Sequence, residues 1–165
     1  LCIGMATTFG CPFEGIPTLD KVLHFVERIR SSGVDTVYLA DTIGIADPTQ
    51  VRRTVQGIRG NFPDMKLQVH IHDTRGMGLV NTLAAIEAGV DTVQSTLGGL
   101  GGCPFAPGAS GNTATEDLVY MLQRMGYDTG IDFDKLLALS KEQHGEIDGV
   151  YSGHQMNITA KSPCC

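Results

Sequence analysis

Apolar positions fall along the chain in two alternating rhythms. Short runs such as LCIGMATTF, DTVYLA, KLQVHIH and DTVQSTL are apolar at successive or alternate residues, the pattern of a strand. Between them apolar residues recur every third or fourth position. In PTLDKVLHFVERIRSSG, the residues Leu19, Val22, Leu23, Val26 and Ile29 are spaced helically and Gly33 stops the run. DPTQVRRTVQGIRGNFP is predicted as a second helix, with Asp47 as N-cap and Pro48 at its first position. RGMGLVNTLAAIEAG is a third, weakened at its glycines, and ATEDLVYMLQRMG and DFDKLLALSKEQHGEI close the set.

The units resemble one another. GVDTV stands at residues 33–37 and again at 89–93, each time leading from a helix into a strand. DTxG stands at 41–44 and 73–76, each time just past a strand. Strands alternating with helices imply βαβ units and a parallel sheet. Polar residues and glycines gather after the strands, at the end where parallel α/β folds place their chemistry. About four strands are predicted, whereas a closed eight-stranded barrel takes about 250 residues. The choice is therefore between a small open sheet and part of a barrel. The opening directly in an apolar strand, with no initiator methionine, favours the part. Residues 1–147 are expected to hold this unit, and 148–165, without periodicity, an irregular C-terminal tail.

Composition narrows the function. With 165 residues and 42% hydrophobic residues, the chain can bury one core. A net charge of −6 with no Lys/Arg cluster argues against nucleic acid or an anionic membrane as partner. The apolar runs are too short to span a bilayer. The five cysteines, Cys2, Cys11, Cys103, Cys164 and Cys165, form neither a CxxC pair nor an even framework. They fit reduced thiols in a cytosol-like or organellar compartment.

The chemistry-bearing candidates lie after the strands. In VHIHDT, period two puts His70 and His72 on one face of a strand, a ready divalent-metal chelate or simply two hydrogen-bonded histidines. Asp41 ends the preceding strand and offers a base, a ligand or the cap of a turn. Asp73 alternates away from the histidines and suits a cap. Asn112 offers an amide oxygen to a metal or caps the helix that follows. Glu116 and Asp117, in that helix's first turns, suit its dipole. For these three, a helix start is the simpler reading. Cys103 sits among glycines in GLGGCPFAPGASGNTATED. That loop is either a mobile lid presenting a thiol or an irregular connection holding a small residue. The glycines match neither GxxxxGK[ST] nor GxGxxG in its strand–turn–helix setting, so no nucleotide site is expected.

Taken together, FGCPFEG, LADTIG, VHIHDTRG and GLGGCPFAPGASGNTATEDLVYML closely resemble the 3-hydroxy-3-methylglutaryl-CoA lyases, which belong to a superfamily of divalent-metal TIM-barrel lyases that includes isopropylmalate and homocitrate synthases. The resemblance runs from the first strand to about residue 145. Its specific part is the Gly-Gly-Cys-Pro loop followed by GASGN. It implies strands five to eight of a (β/α)8 barrel with C-terminal helices. It also implies a Mg²⁺ or Mn²⁺ site built on His70, His72 and Asn112, catalytic roles for Asp41, His70 and the loop thiol Cys103, and a less defined role for Glu116. An acyl-CoA substrate would be cleaved to acetyl-CoA and acetoacetate, as in ketone-body formation and leucine degradation. The complete enzyme would be a homodimer of the bacterial cytoplasm or mitochondrial matrix. In that family an earlier strand supplies a metal-binding aspartate beside a catalytic arginine. Neither stands in this sequence, so the chain alone is expected to bind metal weakly and turn over little. The competing expectations are a related acyl-CoA condensing synthase or ketoacid aldolase, and a non-catalytic interaction fragment.

Overall fold

A computed structural model describes residues 1–102 and 111–158. Four strands, β1 (Cys2–Met5), β2 (Thr36–Asp41), β3 (Lys66–Ile71) and β4 (Thr92–Gln94), form one sheet in chain order with every pair parallel. Helices α1 (Leu19–Ser31), α2 (Pro48–Asn61) and α3 (Gly78–Glu87) make the crossovers, and α4 (Thr115–Arg124) and α5 (Phe133–Glu146) follow. β4 is shorter than the apolar run predicts. Beyond Gln94 the chain turns into a 3₁₀ turn at Leu97–Gly99.

Local chemistry explains the boundaries. The Asp47 carboxylate accepts the N–H groups of Thr49 and Gln50 at 2.8 and 3.0 Å, starting α2 with Pro48 in its first turn. α3 begins at Gly78 because Asp73 Oδ1 accepts the Gly78 N–H at 2.6 Å. Residues 75–77 therefore lie outside the helix. The two DTxG motifs are the same turn. In each the glycine N–H returns to the aspartate carbonyl, and the glycine has positive φ, 61° at Gly44 and 68° at Gly76.

Alternation along the strands separates two faces. Val37, Leu39, Leu67, Val69 and Ile71 are buried under Val22 and Val26 of α1, Val51, Val55 and Ile58 of α2, and Ala84 and Ala85 of α3. Tyr38, Gln68, His70 and Gln94 are only half-buried. His70 pairs in register with Ala40 on one side and Gln94 on the other, and Gln94 donates to Gln68 at 2.8 Å. This polar face occupies the position of a barrel interior. Among the described residues β1 and β4 each pair on one side only. A groove of about 500 Å³, lined by Ile3, Met5, Val22, Phe25 and Ile29 among others, runs along the free side of β1. A next strand of a closed barrel would cover it.

Candidate metal centre

The site forms where β3 ends. Strand pairing stops at Ile71, and His72 instead bridges to Asn112. Thr113 donates its N–H to the Ile71 carbonyl at 3.2 Å, and Asp73 donates its own to Gly111 at 3.0 Å. On the far side Thr96 bridges to Ala114. The segment 111–115 is thus laid between the ends of β3 and β4, which brings Asn112 to the histidines. Ala114, not Asn112, is the residue that precedes α4. The helix-start reading of Asn112 is replaced by this inserted segment.

His70 and His72 direct their Nε2 atoms at each other, 3.2 Å apart. Two ligands at right angles on an octahedral ion, each about 2.1 Å away, are separated by about 3.0 Å. The same spacing fits a hydrogen bond in which one ring is the Nε2–H tautomer. Burial pushes both imidazoles below the usual histidine value. For His70 the neighbouring His72 adds to the lowering, while the Asn112 amide opposes it. Both rings are therefore neutral at neutral pH, the form that ligates metals.

Asn112 is 8% exposed. Its Nδ2 donates to the Leu100 carbonyl at 2.9 Å. A carbonyl accepts only a donor, so the amide orientation is determined and Oδ1 points the other way. That oxygen, together with His72 Nδ1, is buried without a hydrogen-bond partner. A buried acceptor left unpaired costs about 1–3 kcal/mol, and a cation would relieve it at Asn112. Two neutral imidazoles and an amide oxygen are a donor set suited to a divalent ion. Among the described residues no group of three or more His, Cys, Asp or Glu side chains could hold one. The third donor here is the amide.

Asp41 is fully buried at the end of β2, in register with Ile71 on the helix-packed face, whereas His70 lies opposite Ala40 on the other face. Its Oδ1 accepts the Ile45 N–H and its Oδ2 the Ala46 N–H, each at 3.0 Å. Burial raises its proton affinity, and those amides, the Gly44 amide and the Arg75 charge offset part of that. Asp41 thereby fixes the turn between β2 and α2. Arg75 steadies the same turn through the carbonyls of Ile43 and Gly44. Cys103 lies outside the described residues.

Glu116 and Asp117 do more than complement a helix dipole. Glu116, 0% exposed, accepts the Gly98 N–H at 2.9 Å and the Ser140 hydroxyl at 2.8 Å, tying α4 to the Leu97–Gly99 turn and to α5. Asp117 accepts the N–H groups of His154 and Gln155, each at 2.8 Å, and pairs with the His154 ring. Sequence reading missed Leu100 and Ser152, which hydrogen-bond to Asn112, and Thr96, which shares the Leu100 carbonyl. The only local signal for them is the cluster of glycines into which they pack.

Parallel strands, crossover helices on one face and a polar cluster at the C-terminal strand ends define a segment of a (β/α)8 barrel. The family is shown by the HMGL-like model, which matches residues 2–142: the chain belongs to the HMGL-like family. It is 42% identical over 137 residues to hydroxymethylglutaryl-CoA lyase YngG of Bacillus subtilis, covering 83% of this chain and 46% of that protein. It is 41% identical over 138 residues to the (R)-citramalyl-CoA lyase of Chloroflexus aurantiacus, covering 84% and 44%. An HMG-CoA lyase of Acinetobacter baumannii, solved with coenzyme A and 3-methylmalate, superimposes with a TM-score of 0.83 at 43% identity, over 98% of this chain and 55% of that one. The chain thus spans about half the length of the relatives it matches. No helix among the described residues is long and apolar enough to cross a membrane.

Proposed function

We propose that this chain carries the metal-binding half of a lyase that cleaves 3-hydroxy-3-methylglutaryl-CoA to acetyl-CoA and acetoacetate. The observation that carries the reading is the convergence of His70 Nε2 and His72 Nε2 at 3.2 Å beside an Asn112 oxygen that has no partner. Family membership and the lyases among the relatives support the reaction class. His70, His72 and Asn112 would hold Mg²⁺ or Mn²⁺, which lowers the pKa of the substrate 3-hydroxyl and fixes its orientation.

The chain's own residues do the rest. Burial keeps both imidazoles neutral and able to ligate. A base takes the hydroxyl proton, the carbon–carbon bond breaks as the ketone forms, and its electron pair passes to the thioester enolate. Cys103 returns a proton to that carbon. A thiol near its ordinary pKa of about 8.5 is mostly protonated at neutral pH and suits the task. Asp41 is the base in this reading, its proton affinity raised by burial. With four of a barrel's eight strands among its described residues, the chain alone turns over little or nothing.

The similarity to a citramalyl-CoA lyase favours a second substrate of the same kind, also a 3-hydroxyacyl-CoA with a tertiary alcohol. Assaying the complete enzyme on both thioesters, with acetoacetate and pyruvate as the respective products, decides between them. Cys103→Ala is expected to abolish turnover on the true substrate while leaving Mn²⁺ binding intact. Full turnover by that variant would refute the lyase reading.

A further inference from the structure

The segment 150–157 follows α5 and lies beyond the residues that the family model matches. It is nonetheless strapped across the back of the candidate metal centre. Tyr151 anchors one end, donating its hydroxyl to the Ile147 carbonyl at 2.8 Å and setting its ring edge-on to His144 at 4.7 Å. Asp117 anchors the other through the amides of His154 and Gln155. Between these anchors the Gly153 N–H donates to the Gly98 carbonyl at 3.0 Å, and the Ser152 hydroxyl donates to the Asn112 carbonyl at 2.5 Å.

The turn beneath is shaped for this strap. A Cβ on Gly99 would stand 1.9 Å from Ser152 Oγ, and one on Gly98 would stand 2.6 Å from the Tyr151 ring. Those contacts leave no room for a side chain. Asn112 is consequently held at three points. Its N–H donates to the Gly99 carbonyl at 3.1 Å, its carbonyl accepts from Ser152, and its Nδ2 donates to Leu100, whose carbonyl also accepts the Thr96 hydroxyl at 2.9 Å. The one polar atom of Asn112 left without a partner is Oδ1.

We infer that Ser152 is a positioning residue: by clamping the Asn112 carbonyl, the strap holds the amide oxygen where it meets the His70–His72 pair as the third donor to a divalent cation. This rests on the metal reading above. It adds to the site a segment outside the family match.

The test is Mn²⁺ binding to the 165-residue chain, followed by EPR, in the wild type and in His72→Ala, Ser152→Ala, Ser152→Thr and Tyr151→Phe. Circular dichroism of the metal-free variants confirms that each is folded. Binding that His72→Ala abolishes, that Ser152→Ala weakens about tenfold and that Ser152→Thr restores supports the inference. Tyr151→Phe loosens the strap without touching Asn112 and should weaken binding in the same direction. It serves in place of Ser152→Ala should that variant unfold. Histidine-dependent binding that Ser152→Ala leaves within twofold of wild type overturns the role of Ser152 and leaves the metal reading standing. Absence of any histidine-dependent binding in the wild type overturns both.

Discussion

The buried carboxylate of Glu116 accepts the Ser140 hydroxyl at 2.8 Å, joining the first turn of α4 to the middle of α5. Its other oxygen accepts the Gly98 N–H in the turn beyond β4. One side chain therefore locks three segments that pack behind Asn112. Glu116→Ala strands a buried hydroxyl and a buried amide, and is expected to cost about 2–4 kcal/mol in urea unfolding. Ser140→Ala removes one of the two bonds and should cost about 1 kcal/mol. Equal, small effects from both would show that the carboxylate is not the lock.

Gly111 has a φ of 112°, and a Cβ there would lie 2.4 Å from the Gly99 carbonyl oxygen. Both the backbone angle and the contact oppose any side chain. Gly111→Ala is expected to destabilise the fold by about 2 kcal/mol or more. It should also lower Mn²⁺ affinity beyond what the stability loss explains, because Asn112 is the next residue. Thermal melts and EPR titration of the same preparation separate the two effects.

What could be read from the sequence is what local periodicity encodes. The β3 alternation placed His70 and His72 on one face, Asp47-Pro48 marked the start of α2, and the repeated DTxG stretches proved to be the same turn. By spacing alone Glu116 and Asp117 were legible as acids at a helix start. Their partners, Gly98, Ser140 and His154, are 18, 24 and 37 positions away, and no spacing rule reaches that far. By spacing alone Asn112 looked like a cap for the same reason, with the metal ligand as the alternative that the family resemblance favoured. Its displacement from the cap role comes from the Asn112–His72 and Ala114–Thr96 bridges, which form only once the sheet exists. Ser152 lies in a stretch with no periodicity at all, where the structure comes from hydrogen bonds to residues already placed by the barrel.

The histidine pair makes stability depend on pH. Burial lowers both native-state values, whereas in the unfolded chain each ring titrates near about 6.5. As pH falls through about 6.5 the unfolded state takes up protons that the native state refuses, so stability decreases. The loss is complete once pH drops below the native values. Urea midpoints should therefore fall between pH 7.5 and pH 5, and His70→Gln with His72→Gln should flatten that slope. An unchanged slope in the double variant would place the titrating groups elsewhere.

Asp41 tests whether one carboxylate both holds a turn and moves a proton. Each oxygen accepts a backbone amide, from Ile45 and from Ala46. In Asp41→Asn one of those amides would face an NH₂ group, donor against donor, so the turn loses a bond and the fold about 1–3 kcal/mol. The proton-acceptor role predicts a second, separable effect. In the complete enzyme, assayed at a temperature where the variant is fully folded, kcat should fall about 100-fold or more with KM little changed. A folded Asp41→Asn enzyme with kcat within tenfold of wild type would confine Asp41 to fixing the turn. The proton would then have to leave by way of another group at the strand ends.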